Sequence, residues 1–202
     1  MPRGLWPLFA LASLFLFSLH THAAEPKKKK ASSGPVFGSP TPRTGALRGT
    51  VYRLPKETSW LPELKRLKPV GLLYTTALNY PLQRYGDEWF AIEYEGTFHV
   101  TKPGKYVFHL TSDDGAQLYI DGKRILNNDG VHGDDHTEEN AVRLEAGPHH
   151  FRLPYFQGPV PNIALILEVQ PPGGKKRVFD MDDFGPPQSA ITQEDRPVLK
   201  RK

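Results

Sequence analysis

The sequence predicts an all-β fold: an antiparallel, barrel-like β-sandwich in one domain, with disordered N- and C-terminal flanks. Three observations indicate this class. Apolar and polar residues alternate in several short segments, turn-forming residues separate these segments, and only one short stretch has helical spacing. Short strands with turns at close spacing are typical of antiparallel sandwiches and barrels.

The first 24 residues have the layout of a secretory leader. Arg3 precedes the apolar run 5–19, and small residues follow at Ala23 and Ala24. The run is shorter than the roughly 18 to 20 residues of a membrane-spanning helix and contains Pro7. We therefore predict that residues 1–24 are a signal peptide and that the protein is exported by a bacterium, to the periplasm or outside the cell. An uncleaved leader is the alternative, and it is the only membrane contact expected.

Composition divides the remaining chain into a disordered basic linker, residues 25–46, a β domain, residues 47–180, and a flexible tail, residues 181–202. Residues 25–56 carry eight Lys or Arg and one acidic residue, whereas residues 57–170 carry ten Lys or Arg and sixteen Asp or Glu. Nucleic-acid binding requires basic residues gathered on a folded face, so this distribution argues against a nucleic-acid partner. The chain has no cysteine, so its core alone must hold the fold together and it is not a bacterial lipoprotein.

Along the domain, the first predicted element is a short helix within 62–73, where Leu64 and Leu67 have helical spacing. A strand follows in 88–100, where five apolar residues fall on one face at period two. These residues are Phe90, Ile92, Tyr94, Phe98 and Val100. Pro103 and Gly104 then form a turn.

Later segments repeat the alternation. The apolar positions are Tyr106, Phe108 and Leu110, then Leu118 and Ile120, then Phe151, Leu153 and Tyr155, and finally Ile163, Leu165, Leu167 and Val169. Asp121 and Gly122 form the strongest hairpin signal in the chain. Residues 127–140 are polar and Gly-rich and are predicted to be a loop, whereas Val178 and Phe179 add a last strand.

The segment 110-LTSDDGAQLYIDG-122 raises a chemical question, because Asp113 and Asp114 stand side by side between apolar runs. One interpretation is a hairpin turn, since Asp and Gly are turn formers. The other is a cation site, because adjacent carboxylates repel each other unless a positive charge joins them. The pair alone leaves both interpretations open.

Other constellations have weaker chemical interpretations. His132, Asp134, Asp135 and His136 could form a transition-metal cluster, but histidines at this spacing face together only on a helix, and a solvated acidic loop is the expected alternative. An enzyme would use Asp113 and Asp114, or the pair 138–139, as acid and base. Glycosidase carboxylates usually come from different elements, so we predict no catalysis.

Aromatic residues could provide a platform for a sugar ring, but packing in the core is the expected role for most of them. The candidates are Tyr74, Tyr80, Tyr85 and Trp89, and the same expectation applies to Trp60.

The block 94–133 resembles the protective-antigen fourteen-kilodalton (PA14) domain family. The resemblance rests on an ordered set of motifs: Glu95-Gly96, Pro103-Gly104, Ser112-Asp113-Asp114-Gly115, Ile120-Asp121-Gly122, and Asp129 with His132-Gly133. The segment 155–169 is similar to the final loop and strand of the family. The resemblance covers roughly residues 47–170.

The resemblance implies a β-sandwich in which an Asp-Asp pair, joined by a cis peptide bond, holds calcium against a second loop. In sugar-binding members the calcium holds vicinal sugar hydroxyls. It implies Asp113 and Asp114 as metal ligands, with Gln157 at a position where those members have Asn. Further candidate ligand-binding residues are Asp129, His132 and Asn162.

The function predicted is that of an exported, non-catalytic module that binds a carbohydrate or cell-envelope polysaccharide with the help of calcium. The alternative is a structural protein–protein interaction domain of the bacterial envelope, with no metal and with another exported protein as its partner. In that case the Asp pair only shapes a turn.

Overall fold

The computed structural model describes residues 37–159 and 162–186, and within them the chain forms strands and two short 3₁₀ helices. The alternating segments form extended strands because one face of each can be buried against the second sheet while the other face meets solvent. In chain order the strands are β1 (Leu47–Arg53), β2 (Pro69–Thr75), β3 (Asn79–Arg84), β4 (Phe90–Val100), β5 (Gly104–Asp113), β6 (Ala116–Ile120), β7 (Lys123–Asn128), β8 (Thr137–Leu144), β9 (Gly147–Gln157), β10 (Asn162–Gln170) and β11 (Arg177–Val178). The 3₁₀ helices are Leu64–Arg66 and Met181–Phe184.

The strands pair into two antiparallel sheets. The six-stranded sheet has the order β2-β1-β4-β9-β6-β7. The other sheet has the order β11-β10-β5-β8, and β3 also pairs with β10. The predicted all-β antiparallel sandwich is therefore confirmed.

The core lies between the two sheets and is built from the residues whose period-two spacing predicted it. In β4, Phe90, Ile92, Tyr94, Phe98 and Val100 are all buried, as are the alternating apolar residues of β5, β6, β9 and β10. The central pairing of the larger sheet joins β4 to β9 along their whole length, from Phe90 opposite Gln157 to Val100 opposite Gly147.

The predicted hairpin at residues 121–122 joins β6 to β7. Asp121 and Gly122 have φ angles of 50° and 77°, the left-handed values that a two-residue hairpin turn requires. Of the two residues in the final predicted strand, Val178 is the last residue of β11. Phe179 follows the strand and is fully buried.

Two expectations about local structure were wrong in part. The stretch 62–73 forms only the single 3₁₀ turn Leu64–Arg66, because Pro69 disfavours a helical conformation in the residue before it and itself begins β2. The predicted loop 127–140 is shorter than expected, since β8 begins at Thr137. β8 lies at a sheet edge and exposes most of its residues, so it lacks the apolar alternation of a central strand.

The described structure extends past both predicted boundaries of the β domain. Phe37, in the stretch assigned to the linker, is 4 % exposed and packs against Tyr80, Tyr85, Phe90 and Tyr155. At the other end, past residue 180, the 3₁₀ helix Met181–Phe184 buries its first and last residues.

The predicted leader, residues 25–36 of the predicted linker and residues 187–202 of the predicted tail lie outside the described residues. In the part of the chain that is described, no helix is long and apolar enough to cross a membrane.

Candidate functional site

The Asp pair lies at one end of the sandwich, where β5 ends. Asp113 is the last residue of β5, Asp114 follows it, and the peptide bond between them is cis. Both residues are buried, with exposures of 6 % and 2 %. Two carboxyl groups are thus held next to each other in an environment that disfavours their charges.

The Asp114 carboxylate joins three segments of the chain. Its Oδ2 accepts a hydrogen bond from the Gly158 backbone N–H at 2.7 Å, and its Oδ1 accepts one from the His132 backbone N–H at 3.1 Å. Burial raises the pKa of Asp114 above its ordinary value, and the two amide donors partly offset this effect. Asp114 therefore fixes the end of β9 and the loop after β7 to the end of β5.

Asp113 differs from its neighbour because its carboxylate accepts no hydrogen bond from the described residues, whereas that of Asp114 accepts two. Burial, followed by the negative charge of Asp114, raises the pKa of Asp113 to about 6. At neutral pH the site therefore holds a largely buried carboxylate that accepts no hydrogen bond from a described residue. A hard cation that prefers oxygen ligands fits this position.

The rest of a cation's ligands would have to be neutral oxygen atoms. Among the described residues, no group of three or more His, Cys, Asp or Glu side chains is placed to hold a metal ion. Two carboxylates with carbonyl and amide oxygens remain compatible with calcium, which takes six to eight oxygen ligands, some of them from water or a bound molecule. The residues present therefore fit calcium, although they do not by themselves specify it.

Gln157 lies one hydroxyl group away from the Asp113 backbone. It is fully buried, and the Tyr155 hydroxyl lies 2.7 Å from both its Oε1 and the Asp113 carbonyl oxygen. This hydroxyl connects the last residues of β9 to the Asp pair. The role of Gln157 as a metal ligand stays a prediction.

Asp129 and His132 lie in the loop between β7 and β8. The Asp129 Oδ1 accepts hydrogen bonds from the Leu61 and Gly130 backbone N–H groups, each at 2.9 Å. The His132 ring lies between the carbonyl oxygens of Gly133 and Asn128, at 2.9 and 3.2 Å. His132 thus reaches the pair through its backbone, while its ring holds the loop.

The remaining residues with a predicted binding role lie in two different places. Asn162 begins β10 and pairs with Arg84 of β3, outside the contacts that join the Asp pair to its neighbours. His136, from the alternative metal cluster, has its ring 5.5 Å from that of His132 and contacts Glu138 through Nε2 at 3.0 Å. The ligand-binding roles of Asp129, His132 and Asn162 stay predictions.

Two glycines allow the segments to approach. A Cβ atom on Gly115 would lie 2.7 Å from the Gly130 nitrogen and 2.9 Å from the Asp129 Oδ1, too close for any other residue. A Cβ atom on Gly158 would lie 3.0 Å from the Asp114 Oδ2. The role of Gly158 as a donor to Asp114 was not predicted, although its place directly after Gln157 is a signal for a tight loop.

The motif order and the sandwich point to one family. The family model of the PA14 domain matches residues 75–183. The chain belongs to the PA14 domain family. The expectation stated from the Asp-Asp-Gly and Ile-Asp-Gly motifs is thereby confirmed.

Known proteins similar to this PA14 protein include an enzyme and adhesins. A probable beta-glucosidase J of Aspergillus fumigatus is 31 % identical over 137 residues, which is 63 % of this chain but only 15 % of that enzyme. A PA14 sugar-binding domain from an RTX adhesin has a TM-score of 0.59 at 17 % identity, covering 68 % of this chain and 96 % of that domain. The epithelial adhesin 9 A domain of Candida glabrata, in complex with Galb1-3GlcNAc, has a TM-score of 0.53 at 14 % identity and covers 73 % and 93 %. The structural matches show a shared fold.

Proposed function

We propose that this PA14 domain binds a carbohydrate without catalysis, through a calcium ion held by Asp113 and Asp114. The observation that supports this most directly is Asp113, a buried residue next to a second carboxylate, whose own carboxylate accepts no hydrogen bond from the described residues. Calcium bound there would neutralise both charges and offer its remaining coordination positions to sugar hydroxyls. Gln157 and nearby carbonyl oxygens would complete the shell.

The sugar-binding structural relatives give this proposal its ligand class, and the chemistry of the pair agrees with it. Adjacent carboxylates in one turn do not flank a bond from two sides, as the acid and base of a glycosidase do. An exported protein that binds an envelope polysaccharide or another glycan is therefore the function that we infer. Export itself rests on the leader predicted in residues 1–24.

The first test compares the melting temperature of the purified protein in EDTA and in millimolar calcium. A ligand that binds only the folded state stabilises it by about 2.7 kcal/mol at one hundred times its Kd, which for a domain of this size raises Tm by roughly 5 to 10 °C. We expect such a rise in the wild type and none in Asp113→Asn, which removes ligand charge. Glu145→Gln is the matched control, because Glu145 is an exposed acidic residue beyond the opposite end of β9. A Tm that does not respond to calcium at any concentration would contradict the proposal.

The hydrogen bonds of Asp114 favour one alternative, in which the pair is purely structural and the domain contacts another exported protein. Asp114 ties β5, β9 and the loop after β7 together through hydrogen bonds from two backbone N–H groups. Under this alternative Asp114→Ala lowers Tm by the same amount in calcium and in EDTA, and Asp113→Asn changes stability by about 1 kcal/mol or less. Under the calcium proposal, Asp113→Asn abolishes the calcium response.

A further inference from the structure

Trp60 is the most exposed large apolar side chain among the described residues, with 66 % of its surface accessible. The expectation that it packs in the core was wrong. It lies between β1 and β2, outside the stretch 75–183 that the family model matches, so the family match assigns it no role. An exposed tryptophan leaves a large apolar surface in water unless a ligand covers it.

The position of Trp60 is fixed against the loop that also binds Asp114. A Cβ atom on Gly130 would lie 3.3 Å from the Trp60 Cζ3 and 3.6 Å from its Cη2, so the six-membered part of the indole lies on the Gly130 backbone. The next residue, Leu61, donates its backbone N–H to the Asp129 Oδ1 at 2.9 Å. The Trp60 segment is thus tied to the loop by both a ring contact and a hydrogen bond.

Two short contacts lead from Trp60 to the Asp pair. The Gly130 nitrogen lies 2.7 Å from where a Cβ atom on Gly115 would be, and Gly115 directly follows Asp114. Trp60 is therefore separated from the carboxylates by the packed backbones of Gly130 and Gly115. A ligand that extended from the carboxylates across these two backbones would reach the indole.

A second exposed apolar residue lies on the same loop. Val131 is 47 % exposed, and its Cγ2 would be 3.7 Å from a Cβ atom on Gly158, the residue whose N–H binds Asp114. The loop thus presents Val131 near the carboxylates and supports Trp60 at Gly130. Trp60 and Val131 thus add exposed apolar surface beside a loop that also carries the acidic residues Asp134 and Asp135.

We propose that Trp60 is a specificity-determining residue that packs against the second sugar ring of a bound disaccharide or longer glycan. The inference rests on the proposed function, because the first ring would be held by calcium at Asp113 and Asp114. A pyranose ring has an apolar C–H face and hydroxyl groups around its edge, so one ring offers oxygens to the cation while the next covers the indole. The site therefore selects for glycan length as well as for hydroxyl arrangement.

The test uses the full-length protein in millimolar calcium, with lactose and galactose as probes in titration calorimetry and a β-galactoside and mannoside glycan array as a wider screen. We expect Trp60→Ala to weaken binding of the disaccharide about tenfold and to leave binding of the monosaccharide within twofold, while Trp60→Phe keeps most of the affinity. Leu72→Ala is the matched control, because Leu72 is 51 % exposed on the edge strand β2.

The outcomes separate this inference from the function on which it rests. A calcium-dependent rise in Tm that Trp60→Ala retains shows that the variant folds and keeps its metal. Equal disaccharide affinity in wild type and Trp60→Ala would overturn the role of Trp60 and leave the proposed function intact. A wild type that responds to calcium but binds neither probe nor any glycan on the array would overturn both.

Discussion

At the scale of single residues, the pair of Asp121 and His149 makes the stability of the domain depend on pH. The His149 Nδ1 lies 2.6 Å from the Asp121 Oδ2, and its Nε2 lies 2.9 Å from the Glu145 carbonyl oxygen. Burial lowers the pKa of His149, but these two acceptors raise it more, so it lies above its ordinary value. For Asp121 the effects have the opposite signs. Burial raises its pKa, but hydrogen bonds from the His149 side chain and the His150 backbone lower it by more, so it lies below its ordinary value.

The signs of these shifts define a pH window. The raised pKa of His149 stabilises the fold. This contribution is complete when the pH is below the pKa of the unfolded state, about 6.5, and it is lost as the pH rises through the pKa of the folded state. A lowered Asp121 pKa stabilises the fold above about 3.9, and this contribution is lost as the pH falls through the folded pKa. The pair therefore contributes between these limits.

We expect His149→Gln to lower the free energy of unfolding at pH 5.5 by about 0.5 to 1 kcal/mol, a discounted value because Asp121 is half exposed. At pH 9 the same substitution should cost less. Urea denaturation at both pH values measures the difference, and His150→Gln is the control because the neighbouring His150 side chain is exposed. An equal loss at both pH values would show that packing against Phe98, not charge, sets the effect.

At the scale of elements, the stretch before β1 belongs to the folded domain. Phe37 contributes to an aromatic cluster between the sheets, and its carbonyl oxygen accepts a hydrogen bond from the buried Tyr94 hydroxyl at 2.9 Å. Ser39 also pairs with Tyr74 of the edge strand β2 through two backbone hydrogen bonds, at 2.8 and 2.7 Å.

Loss of this segment should therefore destabilise the domain. We expect Phe37→Ala to lower the free energy of unfolding by about 3 kcal/mol, as is typical when a buried Phe is truncated, and removal of residues 1–46 to lower it further. Leu82→Ala, at a residue 50 % exposed on β3, should change it by less than about 0.5 kcal/mol. Urea denaturation of the three variants tests this. An unchanged free energy of unfolding in Phe37→Ala would mean that the stretch before β1 is a linker and not part of the folded domain.

Elements with one buried face were predictable from the sequence, and elements at the sheet edges were not. β4, β5, β9 and β10 alternate because neighbouring strands flank them in the sheet and the second sheet covers one face. β3 and β8 lie at edges and expose most of their residues, so the physical constraint that creates the pattern is absent. The same reasoning applies to Phe37, whose burial depends on distant aromatic partners.

The two carboxylates of the candidate site could be predicted from the sequence, but the different environments of the two could not. Asp113 and Asp114 are identical neighbours in the sequence, yet only Asp114 accepts backbone hydrogen bonds, from residues 18 and 44 positions away. Trp60 and Gly130 are also brought together by the fold alone. Local patterns identify such residue types, but only long-range packing decides which of them meet.

At the scale of the whole molecule, β9 connects two independent features. Its first residues carry His149, and its last residues lead to Gly158 and the Asp pair. At roughly 3.3 Å per residue His149 and Gly158 are about 30 Å apart along the chain, beyond the range over which substitutions usually couple. The pH effect and the calcium effect are therefore expected to be separable in the same protein.

The hydrogen bond between Gly158 and Asp114 also has a consequence for how fast the protein folds and unfolds. Its partners are 44 residues apart in the sequence, and long-range contacts of this kind make β-rich proteins fold slowly. A cation at the Asp pair would thus meet a complete site only late in folding. We expect calcium to slow unfolding while leaving the refolding rate nearly unchanged, which stopped-flow chevron plots with calcium and with EDTA would measure. Faster refolding in calcium would mean that the Asp pair is organised before the sheets close.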